Sequence, residues 1–445
     1  MASSMPVWSI TRCKSVAVPP AKPTPHEFKN LSDHDSSEFL QMQVPFIHLY
    51  HCNPFMGGQN PAQVIRDAVA KALVFYYPFA GRLRKLPDEK LMVECTGEGV
   101  LFIEADAEFR IEQLGGAPKP PFPCMKELLY DIPGSTGIFD CPLVLIQVTR
   151  LACGGFILAT RVNHMICDLT GYMQFMTAMA EIARGALAPS IRPIWQRDQL
   201  FNSSDPSCSS HQFDNEADLP IQLGHMEEQI FFFGPSEISA LRKHVPPCFH
   251  PCSRFDLLTS CLWRCRTVAL GVEPDKEVRL ICMVNARAKC NPPLPAGYYG
   301  NVLAFSMVGT TAGKLCENPL EYTVELVKKA KAQVTAEYMQ SAAVVRMGKP
   351  GLPSASVYCV SDFTRAELRD FDFGWGKAVF GGPAFGIMDH IMRLGSIYTR
   401  FRSSQGEDGV VVPVRLPVRA MKRFSAELKS MTTDPMHRSY IKSAI

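Results

Sequence analysis

Two apolar stretches that are joined by a short connection and followed by a helical pattern constrain the fold of this chain most. Residues 143–151 (LVLIQVTRL) and 156–163 (FILATRVN) have the length and composition of strands, and the glycines of the intervening ACGG suit a hairpin turn. After a short loop, GYMQFMTAMAEIARGA carries apolar residues on one helical face, namely Phe175, Met176, Met179 and Ile182. A hairpin followed directly by a helix predicts mixed α/β structure.

The same mixture of patterns recurs along the rest of the chain. An earlier helix is predicted after Asn60, a possible N-cap that precedes Pro61 at the first helical position. Further on, the strand patterns IFFFG, VRLICMVNAR and GVVVPVRLP alternate with helical patterns such as residues 318–340. Strands and helices therefore occur in both halves of the chain.

The stretch of residues 186–225 interrupts this order, because it is rich in Ser, Asp and Pro and has no sustained periodicity. With 445 residues, 47% of them hydrophobic, the chain is long enough for two domains. We predict an N-terminal domain over residues 1–185, a crossover linker over 186–225 and a C-terminal domain over 226–445.

Composition excludes several classes of partner. The net charge is +3, from 46 Lys and Arg against 43 Asp and Glu, and like charges do not form long runs, so no nucleic-acid partner is expected. The 16 cysteines form no CxxC pair, which argues against a metal site and fits free thiols in the cytoplasm. No apolar stretch reaches the roughly 18 residues of a membrane span, so no membrane partner is expected.

The loop after the predicted hairpin reads HMICDLTG and contains the strongest chemical candidate, His164. Imidazole has an ordinary pKa of about 6.5, so it can accept a proton near neutral pH and return it. Asp168, four residues later, could pair with a distant cation or orient the imidazole, and the spacing alone does not decide between them. HxxxD also occurs by chance, and a histidine at a strand end often has a structural role.

The chain lacks GxSxG, HExxH and P-loop motifs, which removes the commonest hydrolase, metalloprotease and nucleotide-binding hypotheses.

Four motifs together carry a family resemblance. HMICD with Gly171, DFGWG at 372–376, YPFAGRL at 77–83 and YYGN at 298–301 resemble the plant BAHD acyltransferases, which share HxxxD and DFGWG in this order and at about this separation. Blocks at 94–109, 291–301 and 406–417 are most similar to the branch that contains benzyl alcohol benzoyltransferases and the alcohol acyltransferases of fruits and flowers. The resemblance covers essentially the whole chain.

This resemblance implies a fold, a reaction and a catalytic residue. The implied fold is α/β, with two similar chloramphenicol-acetyltransferase-like domains, mixed sheets and a solvent channel between the domains. The implied reaction moves a benzoyl- or acetyl-type group directly from an acyl-CoA to an alcohol, without an acyl-enzyme. His164 would be the general base. Acyl-CoA would be a cosubstrate, no metal or bound cofactor would be needed, and a monomer is expected.

The resemblance also assigns supporting roles. Asp168 would turn away from the reaction and pair with Arg287, and with Gly171 both would support the loop that carries His164. DFGWG would shape the coenzyme A side indirectly, with Gly374 and Gly376 in turns and Trp375 as an apolar anchor. Asp372 would act there as a cap or in a buried ion pair rather than in catalysis.

The sequence departs from its relatives at two places. Met165, Leu169 and Thr170 replace smaller residues around HxxxD, which would reshape the acceptor pocket if they line it. Asp389, within FGIMDHIMRLGS, could face solvent or a cationic acceptor. Two alternatives therefore stay open: esterification of a bulkier specialised metabolite such as a tropane-type alkaloid alcohol, and a diverged binding protein without catalysis.

Overall fold

The computed structural model of the protein describes residues 8–87, 90–132, 138–139, 141–197, 225–249, 251–340, 355–386 and 395–433. These residues form two compact units. The first unit contains the described residues up to 197 together with Asn291–Val302 and residues 367–386, and the second unit contains the rest.

The strands in chain order are β1 (Ile10–Arg12), β2 (Val16–Val18), β3 (Phe28–Asn30), β4 (Gln43–Tyr50), β5 (Arg82–Lys85), β6 (Leu91–Glu94), β7 (Val100–Ala107), β8 (Val144–Leu151), β9 (Phe156–Asn163), β10 (Met226–Phe233), β11 (Glu277–Asn285), β12 (Leu303–Thr311), β13 (Val357–Asp362), β14 (Phe380–Pro383), β15 (Gly395–Arg402) and β16 (Asp408–Pro417). The α-helices are α1 (Pro61–Ala72), α2 (Met125–Leu128), α3 (Leu169–Ala183), α4 (Pro235–Arg242), α5 (Arg254–Leu270), α6 (Ala312–Glu317), α7 (Leu320–Gln333), α8 (Ala336–Gln340) and α9 (Val418–Thr432).

The first unit is built on a seven-stranded mixed sheet in the order β1-β7-β8-β9-β4-β14, with β2 also paired to β7. β8 and β9 pair antiparallel, which confirms the predicted hairpin, while β7 and β8 run parallel. A small separate sheet has the order β3-β6-β5. Strand β9 therefore lies inside the main sheet, so the loop that follows it is held by a rigid element.

Helices α1 and α3 pack against each other in the first unit because each has one continuous apolar side. The predicted start of α1 is confirmed, since the Asn60 side chain accepts a hydrogen bond from the Ala62 amide at 3.0 Å and Pro61 is the first helical residue. Helix α3 buries the apolar face predicted for it, which contains Phe175, Met176, Met179 and Ile182.

The second unit contains a six-stranded sheet in the order β10-β16-β15-β13-β11-β12, with β13 parallel to both of its neighbours and the other pairs antiparallel. Helix α5, which starts at the Ser253 cap and ends at Gly271 in the left-handed region, packs against α7 and α9. With mixed sheets and helices in both units, the predicted α/β fold class is confirmed.

The helix predicted over residues 318–340 is divided into α7 and α8. The backbone leaves the helical conformation at Val334, and the Thr335 hydroxyl accepts a hydrogen bond from the Tyr338 amide at 3.1 Å. Two consecutive β-branched residues, the second of which caps a new helix, account for the break.

The two units do not follow the linear order of the chain. Residues 372–376, which the sequence boundaries assign to the C-terminal domain, belong to the first unit, because β14 just after them pairs with β4. Most of the predicted crossover linker, residues 198–224, lies outside the described residues, as does Asp389. Residues 186–197 belong to the first unit and end at the buried Arg197.

None of the described helices is both long and apolar enough to cross a membrane. All of the described cysteines have free thiols.

Candidate active site

His164 is the first residue of the loop that joins β9 to α3. Its backbone amide donates a hydrogen bond to the carbonyl oxygen of Met42 at 2.8 Å, and the Asn163 side chain accepts one from the Met165 amide at 3.0 Å. The loop is thus fixed at both sides of the histidine, whose side chain is half-buried. A rigid backbone limits the positions that the imidazole can take.

The imidazole lies in surroundings that favour its neutral form. Burial lowers the pKa of His164, against the opposing effects of the Asp168 charge and a hydrogen bond with Asn301. The Nδ1 atom lies 3.1 Å from the Oδ1 atom of Asn301. A neutral imidazole at neutral pH has a lone pair that can accept a proton, which a protonated one does not have.

Asp168 is buried and is the N-cap of α3. One carboxylate oxygen accepts a hydrogen bond from the Gly171 amide, and the other accepts one from the Val302 amide, both at 3.1 Å. The side chain therefore connects the start of α3 to the segment that contains Asn301. Arg287 belongs to the second unit, and its pairing with Asp168 stays a prediction.

Gly171 allows a close approach of two backbones at the start of α3. A Cβ atom at this position would overlap the carbonyl oxygen of Tyr299 and would lie 2.8 Å from the Cβ atom of Cys167. Since backbone atoms cannot move aside cheaply, any other residue would push α3 away from residue 299.

Sequence reasoning missed a buried polar cluster behind the His164 loop, formed by Asp35, Arg197 and Asn301. Asp35 and Arg197 are both fully buried and form an ion pair at 3.0 Å. The Asn301 side-chain nitrogen donates to Asp35 at 2.8 Å. YYGN carried the signal for Asn301, although the motif alone gave it no role, while Arg197 lies in a stretch that has the composition of a linker.

The DFGWG segment is a turn held by its own aspartate. One oxygen of Asp372 accepts hydrogen bonds from the amides of Gly374 and Gly376, both at 2.8 Å. Both glycines have positive φ, at 109° and 85°, which explains why glycine occupies these positions. Asp372 thus acts as a cap of the turn.

The packing of Trp375 places this turn far from His164 along the sheet. Its ring lies edge-on to that of Phe156, with the centroids 5.2 Å apart. Phe156 is the first residue of β9, whereas His164 follows the last, and the two ends of β9 are roughly 23 Å apart at the usual rise per residue. DFGWG is therefore too distant to exchange a proton with His164.

The three residues that are expected from the sequence to reshape the acceptor pocket differ in exposure. Met165 has no exposed surface, and its carbonyl oxygen accepts a hydrogen bond from Arg197 at 3.0 Å. Leu169 and Thr170, the first two residues of α3, are half-buried. Of the three, Leu169 and Thr170 are thus the better placed to touch a ligand.

Comparison with known proteins gives consistent matches over nearly the whole chain. The model of the Transferase family matches residues 8–431. The chain is 53% identical over 437 residues to benzyl alcohol O-benzoyltransferase of Petunia hybrida, covering 96% of this chain and 95% of that one. It is 48% identical over 443 residues to alcohol acyl transferase 1 (allele GSa) of Malus domestica, with the same coverage of 96% and 95%.

Two solved structures share the fold at low identity. Vinorine synthase matches with a TM-score of 0.73 and 20% identity, over 96% of this chain and 99% of that one. The complex of F. graminearum TRI101 with coenzyme A and deoxynivalenol matches with a TM-score of 0.66 and 15% identity, over 90% and 97% of the two chains. At these identities the likeness concerns the fold.

Proposed function

Because this chain belongs to the BAHD Transferase family, we propose that it forms esters by moving a benzoyl- or acetyl-type group from an acyl-CoA to an alcohol, with His164 as the general base. The enzyme class rests on the family and on two relatives, 53% and 48% identical to this chain, whose names are benzyl alcohol O-benzoyltransferase and alcohol acyl transferase. The acyl group, the acceptor and the role of His164 are our proposals.

In the proposed reaction, the imidazole Nε2 atom of His164 accepts the hydroxyl proton as the alcohol oxygen attacks the thioester carbonyl carbon. The C–S bond then breaks, and the imidazolium returns the proton to the leaving thiolate. The products are an ester and coenzyme A, and no acyl group is attached to the protein. Acyl-CoA is a cosubstrate, and the thioester is activated enough to need no metal ion.

The observation that carries this proposal is the placement of the histidine, which follows the last residue of β9, with its backbone amide bonded to Met42 and its Nδ1 atom 3.1 Å from the Oδ1 atom of Asn301. Burial lowers the pKa of His164, so the neutral base predominates at neutral pH. Asp168 supports the base indirectly, since it joins the start of α3, at the Gly171 amide, to the Val302 amide next to Asn301. DFGWG would act on the coenzyme A side through the shape of its turn.

A bulkier acceptor, such as a tropane-type alkaloid alcohol, is the second candidate. It is favoured by Leu169 and Thr170, which are half-buried beside the His164 loop and replace smaller residues of the family pattern. We propose that these two side chains border the acceptor, and that Asp389 could face a cationic group on it. The monomeric state and the cytoplasmic location remain predictions from the sequence.

The test has two parts. Purified protein is incubated with several acyl-CoAs and a panel of alcohols that includes benzyl alcohol and a tropane-type alcohol, and esters are identified by mass spectrometry. The pattern of esters decides between the small and the bulky acceptor. Free coenzyme A without any ester would indicate a thioesterase instead, and no turnover with intact ligand binding would indicate a diverged binding protein.

The second part concerns the base. His164→Ala should lower kcat by roughly 10²- to 10⁴-fold, the usual contribution of a general base, while acyl-CoA binding is largely retained. The matched control is His51→Ala, since His51 is an exposed histidine of the same unit, and it should keep full activity. Retention of wild-type turnover by His164→Ala would refute the proposed mechanism.

A further inference from the structure

Asn301, the last residue of YYGN, contacts the His164 loop with both ends of its side-chain amide. Its Oδ1 atom lies 3.1 Å from the Nδ1 atom of His164. Its Nδ2 atom lies 2.8 Å from the carbonyl oxygen of His164, 2.8 Å from a carboxylate oxygen of Asp35 and 3.3 Å from the carbonyl oxygen of Met165. Asn301 is fully buried, so these protein atoms replace water around it.

The chemistry of these neighbours settles which way the amide points. The three oxygen atoms around Nδ2 belong to two carbonyl groups and a carboxylate, and each of them can accept a hydrogen bond. An amide turned by 180° would place its own oxygen against these acceptors and its NH₂ group against the imidazole, and the hydrogen bonds that Nδ2 donates would be lost at a buried site. The Oδ1 atom therefore faces His164.

An amide oxygen can only accept, so the Nδ1 atom of His164 must donate and carries a proton. In a neutral imidazole with Nδ1 protonated, the lone pair is on Nε2. We infer that Asn301 is a positioning residue that fixes His164 in the tautomer whose Nε2 atom can accept a proton, and that the buried Asp35–Arg197 pair holds Asn301 in the orientation this requires.

The Asp35–Arg197 pair can hold Asn301 in place because hydrogen bonds to neighbouring residues fix both of its members. Arg197 donates hydrogen bonds to the carbonyl oxygens of Met165, at 3.0 Å, and Ile166. Asp35 also accepts from the Ser32 hydroxyl at 2.6 Å and the Ser32 amide at 3.1 Å. Although burial opposes ionisation, Arg197, Ser32 and Asn301 together lower the pKa of Asp35. Asp35 is thus held as an acceptor for Asn301.

This inference rests on the proposed role of His164, but its first test does not depend on turnover. The wild-type protein, labelled with ¹⁵N in its histidines, is studied by NMR at about pH 8, where the imidazole is neutral. The His164 signals are assigned by their loss in His164→Ala. We expect long-range proton–nitrogen correlations that identify Nδ1 as the protonated nitrogen. A proton on Nε2 would overturn the inference, whether or not His164→Ala is inactive.

The second test removes the amide. Asn301→Leu has nearly the same shape but no hydrogen-bonding group, so His164 should populate both tautomers and kcat should fall by roughly 10- to 100-fold, with the KM for acyl-CoA unchanged. The matched control is Asn60→Leu, which removes the side-chain cap of α1 in the same unit and should leave the tautomer and kcat as in the wild type.

The possible results separate the inference from the proposed function. A single wild-type tautomer that becomes mixed in Asn301→Leu supports the inference, even if His164→Ala were still active and the proposed mechanism failed. An unchanged tautomer and unchanged kcat in a folded Asn301→Leu would overturn the inference, even if His164→Ala abolishes turnover.

Discussion

His48 offers a quantitative prediction about how stability depends on pH. It lies on β4, opposite Leu158 on β9 and Gly381 on β14, and has no exposed surface. Its ring is 5.4 Å from that of Phe371 and 6.5 Å from that of Tyr172, measured between centroids. Burial in these apolar surroundings lowers the pKa of His48 to about 3.

The sign and size of the effect follow from proton linkage. In the unfolded chain the imidazole has a pKa of about 6.5 and takes up a proton as the pH falls, whereas the folded protein leaves His48 neutral until about pH 3. The unfolded state therefore binds more protons in this range, and stability is lost as the pH falls from 7.5 towards 3. Between pH 7.5 and 5.0, His48 alone should lower the free energy of unfolding by about 2 kcal/mol.

The assay measures proton uptake directly, because a chain with two units need not unfold in a single step. The protein is unfolded in denaturant at about pH 5 in weakly buffered solution with an indicator dye, and uptake is compared between the wild type and His48→Phe. The wild type should take up about one proton more per chain, since the other titrating groups are common to both proteins.

A matched control separates protonation from simple destabilisation. Thr160 lies on β9, and its hydroxyl is hydrogen-bonded to that of Tyr172 at 3.0 Å, so Thr160→Val should destabilise the same region without changing proton uptake near pH 5. Equal uptake by the wild type and a folded His48→Phe would refute the reasoning, because it would mean that the folded protein already protonates His48 at this pH.

Three substitutions test the packing around the two motifs. Gly171→Ala should lower the free energy of unfolding by about 3 kcal/mol, since the Cβ atom of the new alanine would overlap the Tyr299 carbonyl oxygen. Unfolding by urea measures this loss, and an unchanged stability would contradict the overlap. Asp168→Ala should lower the free energy of unfolding, measured by thermal unfolding, by about 2–4 kcal/mol, because α3 loses its cap and the Val302 amide loses its acceptor. A change below about 0.5 kcal/mol would exclude a structural role of the Asp168 carboxylate. Gly376→Ala should lower the free energy of unfolding by only about 1–2 kcal/mol, because its φ is 85° but an added Cβ atom would have no atom within 4 Å beyond the two neighbouring residues. Turnover should persist, and a larger loss of stability would mean that the Cβ atom makes a close contact.

Local sequence patterns predicted those parts of the first unit whose conformation is decided by residues close together in the sequence. The hairpin of β8 and β9 and the buried face of α3 follow from strand and helix periodicity, and the glycines of DFGWG follow from the need for positive φ. The loop that carries His164 could be placed at the end of a strand for the same reason.

The remainder of the site depends on contacts between residues that are distant in the sequence. Asp35 and Arg197 lie among other polar residues of the sequence and Asn301 ends the YYGN motif, but nothing local indicates that the three are buried together. The pairing of β14 with β4, which brings DFGWG into the first unit, joins strands more than 300 residues apart. Such pairings are decided by the whole fold, and hydrophobic periodicity carries no information about them.

The buried cluster also suggests why an amide rather than a carboxylate contacts the imidazole. A carboxylate hydrogen-bonded to His164 would favour the imidazolium and raise its pKa, which would leave less neutral base for an alcohol at neutral pH. Asn301 orients the ring without adding a charge, while Asp35 is paired with Arg197 and Asp168 accepts from two backbone amides. Asn301→Asp should therefore move the acid limb of the pH–rate profile to higher pH, whereas an unchanged limb would mean that residue 301 has no electrostatic influence on the base.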